Sequence, residues 1–260
     1  MELKFTKDLL TPPELKLWDV KTTLANFCIL TYSVLPENLS RYLPEQFEPV
    51  KITDKSGRES SLISVVPFLD LDFHYKSFPF LKFNFGQINF RAYIRNRITK
   101  EHSVWFFGTL LDSILVNIPR YKWKLPWHNG RIRFEVEWDS NLSKFSNYKV
   151  EAESKWTGAN LELEDSGEIV KSLDGFRDLE TGLVILTHPL KGYFYRRDGV
   201  LGSYSIWHEK MNPSLGRAKK IEIPLLNSLG LVSMEDQNHP HSILFQRNID
   251  FNVYLPPRRV

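Results

Sequence analysis

Four polar side chains alternate with apolar ones in the segment Phe83–Ile94, and their types are suited to binding or acid–base chemistry. A period of two is typical of a β-strand, so the polar residues share one face and the apolar residues share the other. The polar face carries Gln87, Asn89, Arg91 and Tyr93. The opposite face carries Ile88, Phe90, Ala92 and Ile94. Both faces can be buried only if the polar one lines a closed interior that accepts amides and a guanidinium.

The guanidinium of Arg91 decides between two interpretations of this strand. Inside a barrel it would need an anionic partner or ligand, because an unpaired buried charge costs several kcal/mol. A polar-lined cavity that binds a carboxylic or enolic metabolite satisfies that need. The alternative is an ordinary amphipathic strand whose polar side chains lie in water. The burial of Arg91 distinguishes the two.

A second segment, Pro119–His128, alternates basic and aromatic residues. Lys122 and Lys124 lie between aromatic side chains, and a lysine amine in apolar surroundings can form a Schiff base with a carbonyl. Both are therefore candidate catalytic residues. The alternative is an exposed edge on which the lysine stems cover apolar surface while the ammonium groups stay in water.

Histidines supply weaker candidates. His128 and His208 are considered for proton transfer, because imidazole titrates near neutral pH, although a lone histidine is more often structural. His188, His239 and His241 are the only hint of a metal site, and the proline between the last two favours a turn. We therefore predict no metal. No Gly-rich phosphate loop and no G-x-S-x-G motif occur, so we predict no cofactor.

The elements that position these residues are mostly strands. Strands are predicted at Ala25–Val34, Arg131–Trp138, Lys149–Trp156, Ala159–Glu164, Leu183–Thr187, Gly192–Arg196, Ser203–Trp207 and Ile249–Leu255. Helices or helical turns are predicted near Thr11–Trp18 and at Pro36–Leu43, Thr109–Ile118, Leu173–Glu180 and Pro224–Leu229. This order indicates a mainly β (α+β) fold, a single antiparallel barrel or sandwich with a few peripheral helices.

Composition narrows the class of protein. The 260 residues are 42% hydrophobic, enough for a sizeable core, and no linker or repeat divides them. A net charge of +3 argues against nucleic acid and membrane surfaces as partners. Cys28 is the single cysteine, and no apolar signal core or membrane-length stretch occurs. We expect a soluble cytoplasmic protein; whether it forms a homo-oligomer is left open.

Several motifs, in order along the chain, resemble the DUF2071 (YqjF-like) family of the acetoacetate decarboxylase-like β-barrel superfamily. They are Ala25–Val34 followed by Leu43-Pro44, Gln87–Ile94 (close to E-x-N-V-R-T-Y-V), Val104–Phe107, Arg120 with Leu125-Pro126, and Pro240–Pro257. The resemblance implies a cone-like β-barrel with an internal cavity. It also implies one domain over residues 1–260, with residues 1–22 as an N-terminal extension packed on it. It does not imply a reaction.

The departures from the family pattern concern the site. Gln87 stands where the pattern has glutamate. Acetoacetate decarboxylases carry G-R-E-x-x-G-x-P-K-K, whose lysine pair performs the Schiff-base chemistry. Aligning that arginine with Arg120 puts the two lysine positions on Trp127 and His128, neither of which forms a Schiff base. The expected ligand-binding residues are Gln87, Asn89, Arg91, Tyr93 and Arg120.

These observations lead to three hypotheses about function. The preferred one is a barrel that binds a small anionic ligand, a carboxylic or enolic metabolite, without the Schiff-base lysine pair. The second is a decarboxylase-like enzyme in which Lys122 or Lys124 is a displaced nucleophile. The third is a structural or interaction protein whose aromatic side chains fill the barrel. The first is preferred because amine catalysis needs a lysine within contact distance of the carbonyl.

Overall fold

Strands make up most of the regular structure in the computed structural model, which describes residues 3–54, 56–113 and 117–260. The strands are β1 (Val20–Val34), β2 (Phe47–Pro49), β3 (Lys51–Thr53), β4 (Glu59–Tyr75), β5 (Phe83–Asn96), β6 (His102–Leu111), β7 (Trp127–Asn129), β8 (Arg131–Asp139), β9 (Lys144–Glu153), β10 (Ala159–Ile169), β11 (Lys191–Tyr195), β12 (Leu201–His208), β13 (Ser214–Glu222) and β14 (Ser242–Arg259). The helices are α1 (Lys7–Leu10), α2 (Pro36–Ser40), α3 (Asn117–Lys122), α4 (Leu179–Thr187) and α5 (Pro224–Ser228), and Asp236–Asn238 form a 3-10 turn.

Seven of these strands form a closed barrel. Its neighbours run in the order β1, β4, β5, β6, β11, β12 and β14, and β14 pairs with β1 to close the ring. Neighbouring strands are antiparallel except for β6 and β11, which are parallel. The sheet also continues from β14 through β13, β10 and β9 to β8, which we call the outer sheet. The predicted mainly β barrel with few helices is confirmed.

Both faces of β5 are buried, and each faces a different core. On the inner side Tyr93 packs in a cluster with Phe68 of β4 and Leu186 of α4. On the outer side Ile88, Phe90, Ala92 and Ile94 pack in a cluster with residues of the outer sheet such as Val150. Fully burying one such large apolar side chain contributes about 1.5–3 kcal/mol. The outer sheet thus explains why the face of β5 that points away from the barrel interior is apolar.

The apolar cluster between the barrel and the outer sheet also leaves no room for a side chain at one glycine of the barrel wall. A Cβ atom at Gly108 would lie 2.6 Å from the ring of Trp156, which follows β9. The same ring packs edge-to-face on Phe90, with centroids 5.2 Å apart. Gly108 therefore has no room for a side chain, because the indole occupies that space.

Most predicted strands overlap observed strands, namely β1, β8, β9, β10, β11, β12 and β14. The predictions ran three residues past the end of β9 and one residue past the end of β11. The predicted helical turns at Pro36 and Pro224 correspond to α2 and α5. The prediction near the N-terminus is wrong: the helix is α1, with Thr6 as its N-cap, and Thr11 lies at its C-terminal end. Two consecutive prolines follow Thr11, and a residue that precedes proline is disfavoured in helical conformation.

The helix predicted at Thr109–Ile118 is wrong over its first five residues. Thr109, Leu110 and Leu111 belong to β6, and Asp112 and Ser113 follow it without helical structure. That strand pairs with β5 on one side and β7 on the other, so its backbone groups are satisfied as a sheet. Residues 114–116 and the side chain of Ile118 lie outside what the structure describes, and α3 begins at Asn117. Apolar residues in a short run do not distinguish a buried strand from a buried helix.

The predictions around α4 are also wrong. The helix predicted at Leu173–Glu180 begins only at Leu179, where the side chain of Asp178 caps it by accepting from the Thr181 N–H at 2.7 Å. Leu183–Thr187, predicted as a strand, is the buried remainder of that helix. Because Gly182–Thr187 are buried on every side, the segment lacks the polar stripe that identifies an amphipathic helix.

The segment before β1 contacts the barrel through its backbone. The Phe5 N–H donates to Glu180 of α4 at 3.0 Å, and the carbonyl of Leu9 accepts from Trp207 of β12 at 3.1 Å. Within the described residues no helix has the length and apolar character needed to cross a bilayer.

Candidate functional site

A cavity of about 400 Å³ lies inside the barrel, and all seven barrel strands contribute to its wall. Most of the wall is aromatic or aliphatic. The aromatic residues include Phe27, Phe68, Phe73, Phe83, Phe85, Phe106, Trp123, Trp127, Tyr204 and Phe251. Pockets of this size and character are typical of sites for small organic molecules.

The polar face of β5 reaches this cavity over part of its length. Gln87, Asn89 and Arg91 line the cavity. Tyr93 points to the same side and is 1% exposed, but it packs beyond the cavity. Arg120 does not line it; its guanidinium lies 5.9 Å from the ring centroid of Tyr121. The structure therefore brings together three of the five expected ligand-binding residues.

Arg91 is 7% exposed, and the protein satisfies it only in part. Its Nη2 donates to the carbonyl oxygen of Leu186 at 3.1 Å and lies 3.4 Å from the hydroxyl of Tyr93. Leu186 is in the last turn of α4, where carbonyl oxygens carry partial negative charge. The buried Nε has no hydrogen-bond partner among the described residues. A carbonyl oxygen offsets the positive charge of a buried guanidinium less than a carboxylate does, so this site favours an anion.

Asn89 is held by two donors that act on the same atom. Its Oδ1 accepts from Nε2 of Gln87 and from Oγ1 of Thr109, each at 2.9 Å. The side-chain oxygen is thereby used within the protein. The amide N–H groups of Asn89 can then donate into the cavity. Asn89 and Arg91 together present donors along one side of a mostly apolar space.

Asp70 also lines the cavity, and sequence reasoning missed it. It lies on β4, is 4% exposed, and accepts a hydrogen bond from the hydroxyl of Thr22 at 2.9 Å. Burial raises the pKa of this carboxyl to about 7, against a smaller lowering by the Thr22 hydrogen bond. The signal that could have found it is an acid within the apolar run Leu62–Leu71, of the kind that identified Arg91.

The two candidate lysines lie elsewhere. Lys122 is exposed at the end of α3, Lys124 is half-buried in a left-handed conformation, and neither lines the cavity. Trp127 does line it. The next residue, His128, stacks on Trp156 with centroids 4.0 Å apart. Burial lowers the pKa of His128 to about 4, with smaller effects from nearby arginines, so its ring is neutral at pH 7.

His208 is buried beside the cavity wall without lining the cavity. Its Nδ1 donates to the carbonyl of Glu209 at 2.7 Å, and its ring lies 4.5 Å from that of His188. Burial, followed by repulsion from His188, lowers the pKa of His208 to about 3. His188 itself donates from Nε2 to the carbonyl of Leu9 at 3.1 Å. Hydrogen bonds to backbone carbonyls are typical of structural histidines and not of a proton relay that reaches the cavity.

The remaining histidine candidates give no metal site in the part of the chain that the structure describes. His239 is exposed, and His241 donates from Nε2 to the carbonyl of Asp174 at 2.9 Å. No group of three or more His, Cys, Asp or Glu side chains is arranged to hold a metal ion among the described residues.

Comparison with solved structures places the barrel among known folds. Acetoacetate decarboxylase from Legionella pneumophila subsp. pneumophila str. Philadelphia 1 is 13% identical, with a TM-score of 0.57 over 98% of this chain and 93% of that chain. An acetoacetate decarboxylase-like enzyme from Sphingomonas wittichii RW1 is 9% identical, with a TM-score of 0.58 over 98% of both chains.

The enduracididine biosynthesis enzyme MppR, in complex with pyruvate, is 10% identical, with a TM-score of 0.56 over 95% of this chain and 91% of that chain. At these identities the likeness concerns the fold alone. No curated protein matches the sequence.

The sequence itself matches one family model, described as an uncharacterized conserved protein, over residues 21–250. The match includes β1, the polar face of β5, α4 and the first half of β14. Since it covers most of the chain, the protein belongs to the DUF2071 family.

Proposed function

We propose that the protein binds a small organic acid inside the barrel, with the carboxylate or enolate of the acid at Arg91 and Asn89. The observation that carries this proposal is the buried guanidinium of Arg91, which lines a 400 Å³ cavity and has a donor without a partner among the described residues. No Schiff-base lysine takes part, because Lys122 and Lys124 do not line the cavity.

The energetics of Arg91 favour a ligand over a purely structural role. Burying a guanidinium without an anion costs several kcal/mol, and hydrogen bonds to carbonyl and hydroxyl oxygens recover only part of that cost. An entering carboxylate supplies a full opposite charge and accepts charge-assisted hydrogen bonds. Asn89 adds neutral donors on the same side of the cavity.

The size and apolar character of the cavity wall indicate what the rest of the ligand is. At about 30 Å³ for each water of bulk liquid, the cavity has the volume of roughly a dozen waters. An acid of three or four carbons leaves much of that volume unfilled. Aromatic side chains such as Phe68 and Phe106 would contact an aryl or branched alkyl group, and each Å² of apolar surface removed from water contributes about 25 cal/mol. The ligand is therefore an acid with an apolar body.

The comparisons support the class of ligand and no more. One structure with this fold holds pyruvate, a small carboxylic acid. Arg91 in this chain offers the same kind of group a charged donor, and the aromatic wall offers room for a larger substituent.

Thermal unfolding in the presence of carboxylic acids tests the proposal. Phenylpyruvate and related aryl acids should raise the Tm by several degrees, since a ligand at 100 times its Kd adds about 2.7 kcal/mol. The corresponding methyl esters should have little effect. Arg91→Ala and the more conservative Arg91→Gln should abolish the shift.

The matched control is Arg95→Ala on the same strand. Arg95 pairs with Glu48 outside the cavity, so its removal should leave the ligand-induced shift intact. An acid library that produces no shift with the wild-type protein would count against binding. A shift that persists in both Arg91 variants would count against the assigned contact.

A further inference from the structure

We propose that the cavity has a second subsite, in which Asp70 and the rings of Phe73 and Phe85 bind a cationic amine. The ligand is then an elongated amino acid, with its carboxylate at Arg91 and its amine at the far end of an apolar chain. This inference rests on the proposed function, because it takes the carboxylate of the ligand to lie at Arg91. It narrows the class of ligand and adds three residues that the binding proposal does not use.

Asp70 is a buried carboxyl that the protein satisfies weakly. It is 4% exposed, and the hydroxyl of Thr22 donates to its Oδ1 at 2.9 Å. The same hydroxyl lies 3.2 Å from the carbonyl oxygen of Leu71, so its one proton is shared between two acceptors. Burial raises the pKa of Asp70 to about 7, the Thr22 hydrogen bond opposes this rise, and no cation contributes among the described residues. An entering cation would supply the missing opposite charge.

The cavity wall carries two opposite charges. Among the described residues that line the cavity, Asp70 is the only acid and Arg91 the only cation. Tyr204 of β12 also lines it and responds to both: burial raises its pKa most, the charge of Arg91 lowers it, and that of Asp70 raises it. Both charges therefore act on one interior space. A ligand with an anion at one end and a cation at the other offsets the cost of burying each.

The pairing of β4 with β5 shows how far apart the two charged groups lie. Asp70 opposes Phe85, whereas Arg91 opposes Ser64, which is six residues from Asp70 on β4. At about 3.3 Å per residue, the two positions are about 20 Å apart along the strands. The guanidinium turns further away, toward Leu186. The two side chains therefore cannot pair with each other, and only an elongated ligand contacts both.

The length and the volume of the cavity agree on the size of that ligand. A hydrogen bond of about 3 Å at each end leaves about 14 Å to be spanned. An extended carbon chain advances about 1.3 Å per bond, since a C–C bond measures about 1.5 Å, so the span takes roughly eleven bonds. Such a chain has little more than a dozen carbon, nitrogen and oxygen atoms. The cavity has the volume of roughly a dozen waters, so one extended chain fills it.

The aromatic rings beside Asp70 favour an amine over an uncharged group. Phe85 is the cross-strand partner of Asp70, and its ring centroid lies 5.3 Å from that of Phe73. Both rings line the cavity. The face of an aromatic ring attracts an ammonium group, most strongly where the group is shielded from water. A carboxylate with two rings next to it is thus suited to a cationic amine.

Isothermal titration calorimetry at pH 8, above the pKa of Asp70, tests the subsite. The probes are 11-aminoundecanoate and dodecanoate, which carries a methyl group in place of the amine. The wild-type protein should bind the amino acid about tenfold more tightly than dodecanoate, because the amine gains a charged partner. Asp70→Asn should remove this preference and leave the Kd for dodecanoate unchanged. The short 4-aminobutyrate should have no such advantage over pentanoate, because it cannot reach both charges.

Matched variants separate the subsite from general effects. Thr23 donates to Asp250 at 2.6 Å in an exposed pair of the same type, so Asp250→Asn should keep the preference for the amine. Phe73→Leu should reduce the preference about threefold through loss of the ring. Phe80→Leu, at an exposed position outside the cavity, should not change it. Asp70→Ser serves as a second substitution, and phenylpyruvate binding reports that each variant is folded.

The outcomes distinguish the two proposals. Wild-type protein that binds phenylpyruvate at Arg91 but shows no preference for the amine overturns the second subsite and leaves the carboxylate site standing. A preference that persists in both Asp70 variants overturns the assignment of that residue. Wild-type protein that binds neither phenylpyruvate nor the two long-chain acids overturns both proposals.

Discussion

The guanidinium of Arg91 donates to the carbonyl oxygen of Leu186 at 3.1 Å, and this bond links the inner face of β5 to the last turn of α4. The hydroxyl of Tyr93 donates to the same oxygen, also at 3.1 Å. Two donors therefore share one acceptor, which leaves the arginine anchored at one end but without an anion. The anchoring fixes the side chain in the cavity wall, where a ligand that enters the cavity would meet it.

Arg91→Met should lower the free energy of unfolding of the ligand-free protein by less than about 1 kcal/mol, or should raise it. The substitution removes the cost of burying a guanidinium and loses one hydrogen bond in exchange. Chemical denaturation measures this change. A loss of 3–5 kcal/mol would instead indicate that the arginine is primarily structural. Tyr93→Phe provides the comparison, because losing its hydroxyl should cost about 1–2 kcal/mol.

Asp70→Asn should stabilise the protein at alkaline pH. Between pH 4 and 7 the folded protein holds a proton on Asp70 that the unfolded chain releases, so the free energy of unfolding falls as the pH rises through this range. The penalty reaches at most about 4 kcal/mol above pH 7. The variant should be more stable than wild type at pH 8 and equal to it below pH 4. Equal stability at both pH values would contradict the buried, near-neutral carboxyl.

His208→Asn should weaken the loss of stability in acid. The pKa of His208 in the folded protein is about 3, below that of a free histidine, so the unfolded chain takes up a proton first as the pH falls below 6.5. The wild-type protein then loses up to roughly 5 kcal/mol between pH 6.5 and 3 through this group. The variant should show a shallower slope in denaturation midpoint against pH. His239→Asn, an exposed position, should keep the wild-type slope.

Trp127→Lys should introduce Schiff-base chemistry that the wild-type protein lacks. Trp127 lines the cavity, and an amine placed there is partly desolvated and lies in the same space as the bound keto acid. Borohydride reduction with phenylpyruvate should then add the mass of the reduced adduct at this position. His128→Lys is the control, because that side chain stacks on Trp156 instead of lining the cavity. A wild-type adduct on Lys122 or Lys124 would support the displaced-lysine enzyme.

The polar face of β5 was predictable because polar and apolar residues alternate without interruption over Gln87–Ile94. Alternation indicates which side chains share a face of the strand. Because Arg91 is a charged residue among aromatic ones, its burial was the property that had to be determined. Which of these side chains border the cavity depends on the tertiary structure. Tyr93 continues the same face but packs against Ser64 and α4, and Arg120 lies away from the cavity altogether.

Asp70 shows what sequence could not resolve. Asp70 and Asp72 are two residues apart and would share one face of a regular strand. The pairing of β4 with β5 is irregular between Asp70 and Phe73, and Asp72 has a positive φ of 56°. The irregularity leaves Asp72 in solvent, where it pairs with Lys82, while Asp70 stays inside. Two similar acids thus receive opposite environments from a local change in backbone register.

The amino-acid sequence by itself determined the mainly β class, the faces of the regular strands and the absence of a lysine pair at the aligned positions. These properties depend on residue types at short, fixed spacing. Only the tertiary structure decided that β14 closes the ring on β1, that α4 brings a carbonyl to Arg91, and that Asp70 and Arg91 border one cavity. Those relationships join residues far apart in the chain, and local periodicity records whether a side chain is buried but not which distant segment buries it.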